Sequence, residues 1–348
     1  MNIRRRVKKI FKAVMLTLLI LLAVVNLPII SIKNVETNMD YSNWMKENLG
    51  TDILITDVQM IGAHDAFSKD IGIFSKVDKL SAPSIMTGIP GTLIKGFLVR
   101  QSVTQIADTD KLLSSGIRYL DIRLTKTNDI WETKHNFIAS DYKNIAADIV
   151  SFLDNNKGEF LILDFQHLHG VDYSSVEDYL SFYKVLEDYG LAEYSYFNNE
   201  ANINTLTYGE ITNDKSISKV IIVDKFDVPN KQTYNYQETI RSNWANSDNF
   251  EEVLEFLETE KTNITENSDV FGFKVMQAVT TMNMSPKGIL NSFKTWSLVE
   301  RGEKFNKYLL EYNELEGLMD VLPIVMVDYA TQESFVDEMM DLIIENNQ

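Results

Sequence analysis

Short apolar stretches that each lead into polar or charged side chains limit the fold of this chain more than any other feature of its sequence. Five of them lie at residues 57–61, 160–165, 220–223, 271–276 and 324–327, and they are followed by His64 with Asp65, Gln166 with His167, Asp224 with Lys225, Gln277, and Asp328. Apolar runs of about four to eight residues are typical of strands buried on both faces of a parallel sheet. The chain is therefore expected to place several polar strand ends at one edge of a sheet.

Two further strands are predicted between the first and second of these stretches. Residues 117–124 alternate strictly, with Ile117, Tyr119, Asp121 and Arg123 on one face. We expect the face with Asp121 and Arg123 to point into the mouth of the sheet, because the other face packs on helices. Residues 130–135 predict a short strand that ends in His135.

Helical periodicity separates most of these strands. Segments that fit helices lie at residues 105–115, 142–155, 174–188, 300–319 and 333–346. Strand–helix alternation without an internal repeat predicts an α/β fold, a (β/α)8-type TIM barrel in regular or distorted form. Seven strands are predicted, and residues 230–265 hold either a small insertion or a missed strand. Residues 71–99, apolar and rich in Gly and Pro, fit either a helix packed over the barrel end or a lipid-touching lid.

The N-terminus predicts a membrane anchor. Residues 1–12 carry six basic side chains, and residues 13–32 carry no charge. Twenty uncharged residues are about the length of a membrane-spanning helix, and the basic flank places the body outside the cytoplasm. We expect an uncleaved signal anchor and a single-pass protein of the cell membrane, the alternative being secretion after signal cleavage. The predicted division is an anchor at 1–33, a linker with a short helix at 34–56, and a catalytic barrel at 57–348.

Charge excludes one class of partner. The net charge is -17, and the first 33 residues hold seven of the 33 basic residues and none of the 50 acidic ones. The remainder therefore has 26 basic and 50 acidic residues, a net charge of -24. Such a body is repelled by phosphate backbones, so no nucleic acid partner is expected. No cysteine is present, which excludes disulfides and thiolate metal sites, and no protein partner is implied.

The predicted strand ends together form a candidate site. In a parallel barrel the carboxyl ends of the strands meet at one mouth. Two histidines, an arginine and several carboxylates there suit phosphodiester transfer, which needs a base, an acid and a fixed cation on the phosphate oxygens. No HExxH motif and no EF-hand loop occurs, so no cofactor is expected.

Specific motifs resemble a known family. Gly-Ala-His-Asp at 62–65, Gly-Ile-Arg-Tyr-Leu-Asp-Ile-Arg at 116–123 and the following His135 resemble the catalytic X domain of bacterial phosphatidylinositol-specific phospholipase C. Asp-Phe-Gln-His at 164–167 resembles a segment of the relatives that consist of an X domain alone, and 101–103 and 325–330 match in position. The resemblance covers about residues 57–330. Asn136 departs from it, because many members have Gly after the second histidine.

This resemblance implies a role for each matching residue. His64 is the implied general base for the inositol 2-hydroxyl, and His135 is the implied general acid for the departing diacylglycerol. Asp328 orients His64, Asp65 assists His135, and Arg123 stabilises charge on phosphorus. The implied product is a cyclic inositol phosphate, and the implied partner is a phospholipid at a membrane surface.

The resemblance says less about metal dependence and about which headgroup is recognised. Calcium-dependent members have an acidic ligand where this chain has Arg123, so it implies the metal-independent branch, with Ca²⁺ at Asp121 as the alternative. Candidate substrate-binding residues are His167, Asp224, Lys225 and Gln277. Two other functions stay open: a metal-dependent glycerophosphodiester phosphodiesterase, and a barrel without activity that serves as a surface-binding module.

Overall fold

Parallel strands in chain order form the centre of the molecule. The structure is a computed structural model that describes residues 3–26, 36–267, 272–281 and 295–348. Its strands are β1 (Met60–Ala63), β2 (Tyr119–Thr127), β3 (Ile130–His135), β4 (Phe137–Asp141), β5 (Phe160–His169), β6 (Lys219–Asp224), β7 (Tyr234–Asn235), β8 (Ile240–Arg241), β9 (Phe273–Ala278) and β10 (Ile324–Val327). The parallel strands follow the order β7-β6-β5-β2-β1-β10-β9-β8. This is the circular order of a TIM barrel, so the predicted α/β fold of TIM-barrel type is confirmed.

The barrel departs from regular geometry in two places. Among the described strands, β7 and β8 end the order and do not pair with each other, so the barrel is open between them. An antiparallel hairpin, β3 with β4, extends from β2 beyond the barrel rim. That hairpin carries His135 at its turn, which brings the residue back over the barrel mouth.

Helices cover the strands and close the barrel ends. They are α1 (Ile3–Val25), α2 (Trp44–Asn48), α3 (Ser84–Thr87), α4 (Ile89–Leu93), α5 (Lys95–Arg100), α6 (Thr109–Ser114), α7 (Tyr142–Asn155), α8 (Val176–Asp188), α9 (Leu191–Tyr194), α10 (Tyr208–Thr212), α11 (Tyr236–Thr239), α12 (Phe250–Glu266), α13 (Leu298–Leu310), α14 (Leu315–Met319) and α15 (Glu333–Asn346). Helix α7 buries Ile145, Ile149 and Phe152, a spacing that follows one helical face. The Asp141 side chain caps its first turn by accepting from the Lys143 amide.

Two parts of the chain differ from the sequence prediction. The predicted helix over 300–319 is two helices, α13 and α14, separated by residues 311–314. The region at 230–265, for which the sequence left two alternatives, contains β7, β8, α11 and all of α12 except its last residue. It therefore holds missed strands, and these were invisible because strands of two residues are too short to show a periodic pattern.

Residues 71–99 form a small second core over the barrel mouth. Phe97, Leu98 and Val99 are buried there with Phe137 and Tyr329. The prediction of helices packed over the barrel end is therefore confirmed for α5. Exposed apolar side chains also occur in this segment, with Phe74 96% and Ile89 79% exposed.

The prediction of a membrane-spanning helix over 13–32 is not supported. None of the helices within the described residues is both long and apolar enough to cross a membrane. Helix α1 contains the basic segment and ends at Val25, so its uncharged part, residues 13–25, is about 20 Å long against about 30 Å of hydrocarbon. Residues 27–32 of the predicted segment lie outside the described residues. The expected anchor and single-pass location therefore have no support in the described helices.

The predicted linker packs against the barrel. Within residues 36–56, Trp44 is buried and its indole N–H donates to the carbonyl of Gly116 at 3.0 Å. The buried Arg118 donates to the carbonyls of Tyr41 and Ser42 and pairs with Glu159 at 2.8 Å. Arg118 therefore ties this segment to the barrel and is not a partner of Asp121.

Candidate active site

His64 lies at the carboxyl end of β1, beside the end of β10. Its amide donates to the carbonyl of Val327 at 3.1 Å, which continues the β1–β10 pairing. Asp328 follows directly, and its Oδ1 lies 2.7 Å from Nδ1 of His64. Neighbouring parallel strands thus bring together two residues that are 264 positions apart. The carboxylate fixes the ring with Nε2 towards the cavity.

Arg123, in the middle of β2, is held between two buried carboxylates. Its Nε lies 2.6 Å from Oδ1 of Asp65, and its Nη2 lies 3.0 Å from Oδ2 of Asp121. Both carboxylates are buried, whereas Arg123 stays about one fifth exposed towards the cavity. Asp121 also accepts from the Asp65 amide at 3.2 Å. The two carboxylates therefore anchor a guanidinium that still faces the cavity.

His135 faces His64 across the cavity. Its Nδ1 lies 2.9 Å from the carbonyl of Ser102 and 3.2 Å from Oδ2 of Asp65. With Nδ1 as the donor, Nε2 is free to exchange a proton with a ligand. The two ring centroids are only 6.2 Å apart, so a single ligand in the cavity can reach both imidazoles.

Three residues with left-handed backbone border the site. Asp65 itself has φ +43°, Asn136 after His135 has φ +60°, and Tyr329 after Asp328 has φ +52°. This conformation is unfavourable for residues with a side chain, and such strain concentrates at functional sites. The backbone thus turns sharply beside each of the histidines and beside Asp328. Asn136 replaces the Gly of many relatives because asparagine tolerates this conformation.

Three of the candidate catalytic residues, His64, Arg123 and His135, line one cavity of about 500 Å³, together with Asp121. We call these four residues the charged side of the cavity. The other lining residues that this structure gives are uncharged polar or apolar: Gln166, His167, Ser242, Trp244, Gln277, Thr280 and Thr281, with Pro83, Met86, Leu298 and Met326. We call this second group the neutral side.

The chain is similar to several known proteins. No family model matches the chain. A PI-PLC X-box domain-containing protein of Dictyostelium discoideum is 24% identical over 312 residues, 84% of this chain and 39% of that protein. The variant-surface-glycoprotein phospholipase C of Trypanosoma brucei brucei is 33% identical over 133 residues, 34% of this chain and 37% of that protein.

A solved structure has the same fold. Phosphatidylinositol-specific phospholipase C from Listeria monocytogenes aligns with a TM-score of 0.56 and 16% identity, covering 89% of this chain and 100% of that one. Over most of its length the chain is therefore similar to PI-PLC X-domain proteins, and it shares the fold of a phosphatidylinositol-specific phospholipase C. It spans about two fifths of the length of the two curated relatives named above. Because these relatives are eukaryotic, their similarity does not assign the chain to the bacterial branch.

The protonation of His64 depends on neighbouring groups with opposing effects on its pKa. Burial by itself lowers the pKa of the imidazole, but the carboxylates of Asp65 and Asp328 outweigh burial and raise it to about 9. Nη2 of Arg123 lies 3.0 Å from Nε2, a contact that requires an unprotonated Nε2 because a guanidinium only donates. The carboxylates therefore favour imidazolium in the free site, and the Arg123 contact marks the neutral form that accepts a proton.

The net shift in the pKa of His135 is opposite to that of His64. Burial lowers the pKa of its imidazole, and the nearby Asp65 only partly offsets this. The Asp65 carboxyl is itself buried, but Arg123 and the two histidines hold its pKa well below the ordinary value. Asp65 is therefore a fixed negative charge shared by Arg123 and both histidines.

Three side chains of the candidate site are close enough together to share one metal ion. Ligand atoms of His64, Asp65 and Asp121 lie within 4.8 Å of one another. The Arg123 guanidinium already lies against both carboxylates, at 2.6 Å and 3.0 Å. A cation in the cluster would meet a fixed positive charge, so this donor set does not fit Ca²⁺ while Arg123 is present.

The four predicted substrate-binding residues fall into two groups. His167 and Gln277 line the cavity, and Gln277 Nε2 donates to Oγ of Ser242 at 2.7 Å. Asp224 is fully buried, and its Oδ1 pairs with Lys231 at 2.9 Å, so it does not line the cavity. Lys225 does not line it either, because its ammonium lies over the ring of Tyr236, 4.7 Å from the centroid.

Sequence reasoning missed the residues that hold the mouth together. Gln105 Nε2 donates to the carbonyls of His64 at 3.1 Å and Val327 at 2.9 Å. Oγ1 of Thr104 donates to the carbonyl of His64 at 3.0 Å. Thr104 and Gln105 directly follow the matched segment 101–103. Polar residues placed directly after an apolar helix were the sequence signal that could have identified them.

Proposed function

We propose that this chain is a phosphodiesterase of the phospholipase C type that cleaves phosphatidylinositol-like lipids to diacylglycerol and a cyclic inositol phosphate. The observation that carries the proposal is Arg123, held by two carboxylates and directed into a cavity between two histidines. A fixed cation between two proton-transfer groups suits a phosphodiester and has no evident use in a binding module. The phospholipase C and X-domain relatives support the same reaction class.

The first half of the reaction needs a base on the headgroup hydroxyl. Nε2 of His64 takes the proton of the inositol 2-hydroxyl, and the oxygen attacks phosphorus. Asp328 keeps Nδ1 as the donor and stabilises the imidazolium that forms. Arg123 stabilises the charge on the non-bridging oxygens. An oxygen–phosphorus bond forms within the headgroup, which gives the cyclic phosphate.

The second half needs an acid on the leaving group. The bond between phosphorus and the glycerol oxygen breaks, and Nε2 of His135 gives its proton to that oxygen. Asp65 lies 3.2 Å from Nδ1 of His135 and stabilises the protonated ring. The proton taken by His64 and the one given by His135 balance, so diacylglycerol leaves as a neutral alcohol.

The free site holds its proton mainly on His64, and the reactive form holds it on His135. These two forms carry the same number of protons, so kcat/KM is expected to be bell-shaped. The acidic limb follows the lowered pKa of His135, and the alkaline limb lies at about 9, the pKa of His64.

The neutral side of the cavity is suited to binding an uncharged, hydroxyl-rich headgroup. Gln166, Ser242 and Gln277 offer amide and hydroxyl groups. Burial and the nearby Arg123 lower the pKa of His167 to about 4, so His167 is neutral at pH 7. Neutral donors and acceptors match inositol hydroxyls without the desolvation of a charge.

Phosphorus NMR of phosphatidylinositol vesicles, incubated with the full chain and a chelator, tests this function. A cyclic phosphodiester signal is expected, because Arg123 supplies the positive charge. His64→Ala and His135→Ala are each expected to slow turnover by about 10²–10⁴-fold, the usual contribution of one acid or base. Far-UV circular dichroism of each variant shows that the fold is kept.

His169→Ala is the matched control. His169 is partly buried at the end of β5 and does not line the cavity, so its variant should keep the wild-type rate. Turnover that appears only after calcium is added would overturn the role given to Arg123. Unchanged lipid with and without calcium would remove phosphatidylinositol as the substrate.

A further inference from the structure

A second cavity, larger than the active site, lies next to it. Its volume is about 790 Å³, and it is formed by residues 76–80, 126–128 and 137–138 together with α3, α4 and Lys95. The two cavities share Met86, and Asn136 lines the active site while its neighbour Phe137 lines the second cavity. We call this second cavity the lysine groove.

Positive charge is concentrated in the lysine groove. Lys76, Lys79, Lys95 and Lys126 line it together with one buried carboxylate, Asp78, although the chain beyond residue 33 carries 26 basic against 50 acidic residues. Within the described parts of the chain, Lys76 and Lys79 are exposed and have no carboxylate within 4 Å. Lys126 is partly neutralised by Asp129 and Asp178, each at 3.6 Å. The groove therefore attracts an anion on a protein that otherwise repels anions.

Apolar side chains form the rest of the lysine groove. Val77, Leu80, Met86 and Phe137 line it, and Leu80 is 58% exposed. Ile89, at the start of α4, is also exposed beside it. A free phosphate would leave the exposed side chains of Leu80 and Ile89 in water, whereas a phospholipid supplies both a phosphate and a hydrocarbon chain that covers them. Charge and apolar surface together fit an amphiphilic anion.

The wall of the lysine groove is hydrogen-bonded to the loop of His135. The Asp78 amide donates to the carbonyl of Asn136 at 2.9 Å, and the Ile138 amide donates to the carbonyl of Lys76 at 2.8 Å. Val77 and Phe137 form a β-bridge between these bonds. A molecule that fixes residues 76–78 therefore also fixes the backbone on either side of Phe137, directly after His135.

We propose that the lysine groove binds one anionic phospholipid that is not the substrate and thereby steadies the loop that carries His135. Its phosphate lies against Lys76 and Lys79, and the start of an acyl chain lies against the exposed Leu80 and Ile89. Binding alone is independent of the proposed function. The effect on turnover rests on the proposed phosphodiesterase activity.

Monomeric dihexanoyl phosphatidylglycerol, below its micelle concentration, is the probe for the full chain in calorimetry. Saturable binding is expected, and Lys76→Gln/Lys79→Gln should weaken it about 30-fold. Thr92→Trp fills the groove from an exposed lining position without a charge change and should also abolish binding. The control pair Lys304→Gln/Lys307→Gln removes two exposed lysines of α13 and should bind as wild type.

Three outcomes would overturn the proposal. Equal affinity for glycerol phosphate would mean that the lysines bind free phosphate only. Binding that Thr92→Trp leaves unchanged would mean that surface charge, not the groove, attracts the lipid. Phosphatidylinositol turnover that does not rise on addition of the lipid would disprove the link to His135, whereas failure of the proposed function would show as no turnover at all with binding intact.

Discussion

The two sides of the active-site cavity are built differently. On the charged side, Asp65 and Asp121 hold Arg123, and Asp328 holds His64, all at 2.6–3.0 Å. The described residues of the neutral side are amides, hydroxyls, a tryptophan and a histidine with lowered pKa. Buried charges require fixed partners, whereas neutral polar groups tolerate exchange. We therefore expect the charged side to control rate and the neutral side to control which headgroup binds.

Removal of the guanidinium is the strongest test of the charged side. Arg123→Gln is expected to lower kcat by about 10²–10³-fold, the usual effect of losing a donor to a developing charge. The variant also leaves the two carboxylates without their cation, so its melting temperature at pH 7 should fall. Phosphorus NMR rates and thermal melts measure both effects.

Arg241→Gln is the matched control for this variant. Arg241 pairs with Glu260 at 3.2 Å, is partly exposed, and lies outside the cavity. It should keep the wild-type rate. An equal loss of rate in both variants would mean that general destabilisation, not the position of Arg123, explains the effect.

A substitution at Asp328 tests how the charged side controls the protonation of His64. Asp328→Asn removes a negative charge 2.7 Å from His64, which destabilises the imidazolium and lowers its pKa from about 9. The alkaline limb of the kcat/KM profile should therefore move to lower pH, by about 1–2 units. Asp320→Asn, an exposed carboxylate at the end of α14, is the control and should leave the limb in place. If the alkaline limb stays near pH 9 in Asp328→Asn, a group other than His64 is responsible for it.

The contrast between the charged side and the neutral side also explains which site residues could be predicted from the sequence. His64, His135 and Asp328 were predicted because each ends or directly follows a strand, and strand ends meet in a parallel barrel. Arg123 was predicted because it shares the inward face of its strand with Asp121. The barrel itself followed from long apolar strands such as β5. Their contacts, including the sharing of Asp65 by Arg123 and His135, are visible only in three dimensions.

The neutral side could not be predicted in the same way. Ser242 and Trp244 follow β8, a strand of two residues that has no periodic signature. Asp224 was expected in the cavity because it ends β6, yet its carboxylate pairs with Lys231 in the neighbouring loop. A strand-end position therefore indicates the mouth of the barrel, but the direction of the side chain depends on partners that lie on other segments.

Gln277→Ala tests the neutral side and should have a smaller effect. Loss of one neutral hydrogen-bonding group is expected to raise KM by about 2–10-fold with kcat nearly unchanged. Gln237→Ala, an exposed glutamine of α11, is the control and should change neither constant. A fall in kcat of the size seen for Arg123→Gln would break the division between the two sides.

The smallest predicted effect concerns the backbone beside His135. Asn136 has φ +60°, so Asn136→Gly should keep the free energy of unfolding, and Asn136→Ala should lower it by about 1 kcal/mol. Asn230→Ala, at φ +59° in an exposed turn, should lose stability to a similar extent. Because Asn136 positions the turn after His135 and Asn230 lies outside the cavity, only Asn136→Ala should also slow turnover. Urea unfolding and phosphorus NMR measure the two quantities. Equal rates for both alanine variants would show that the left-handed turn stabilises the fold without positioning the acid.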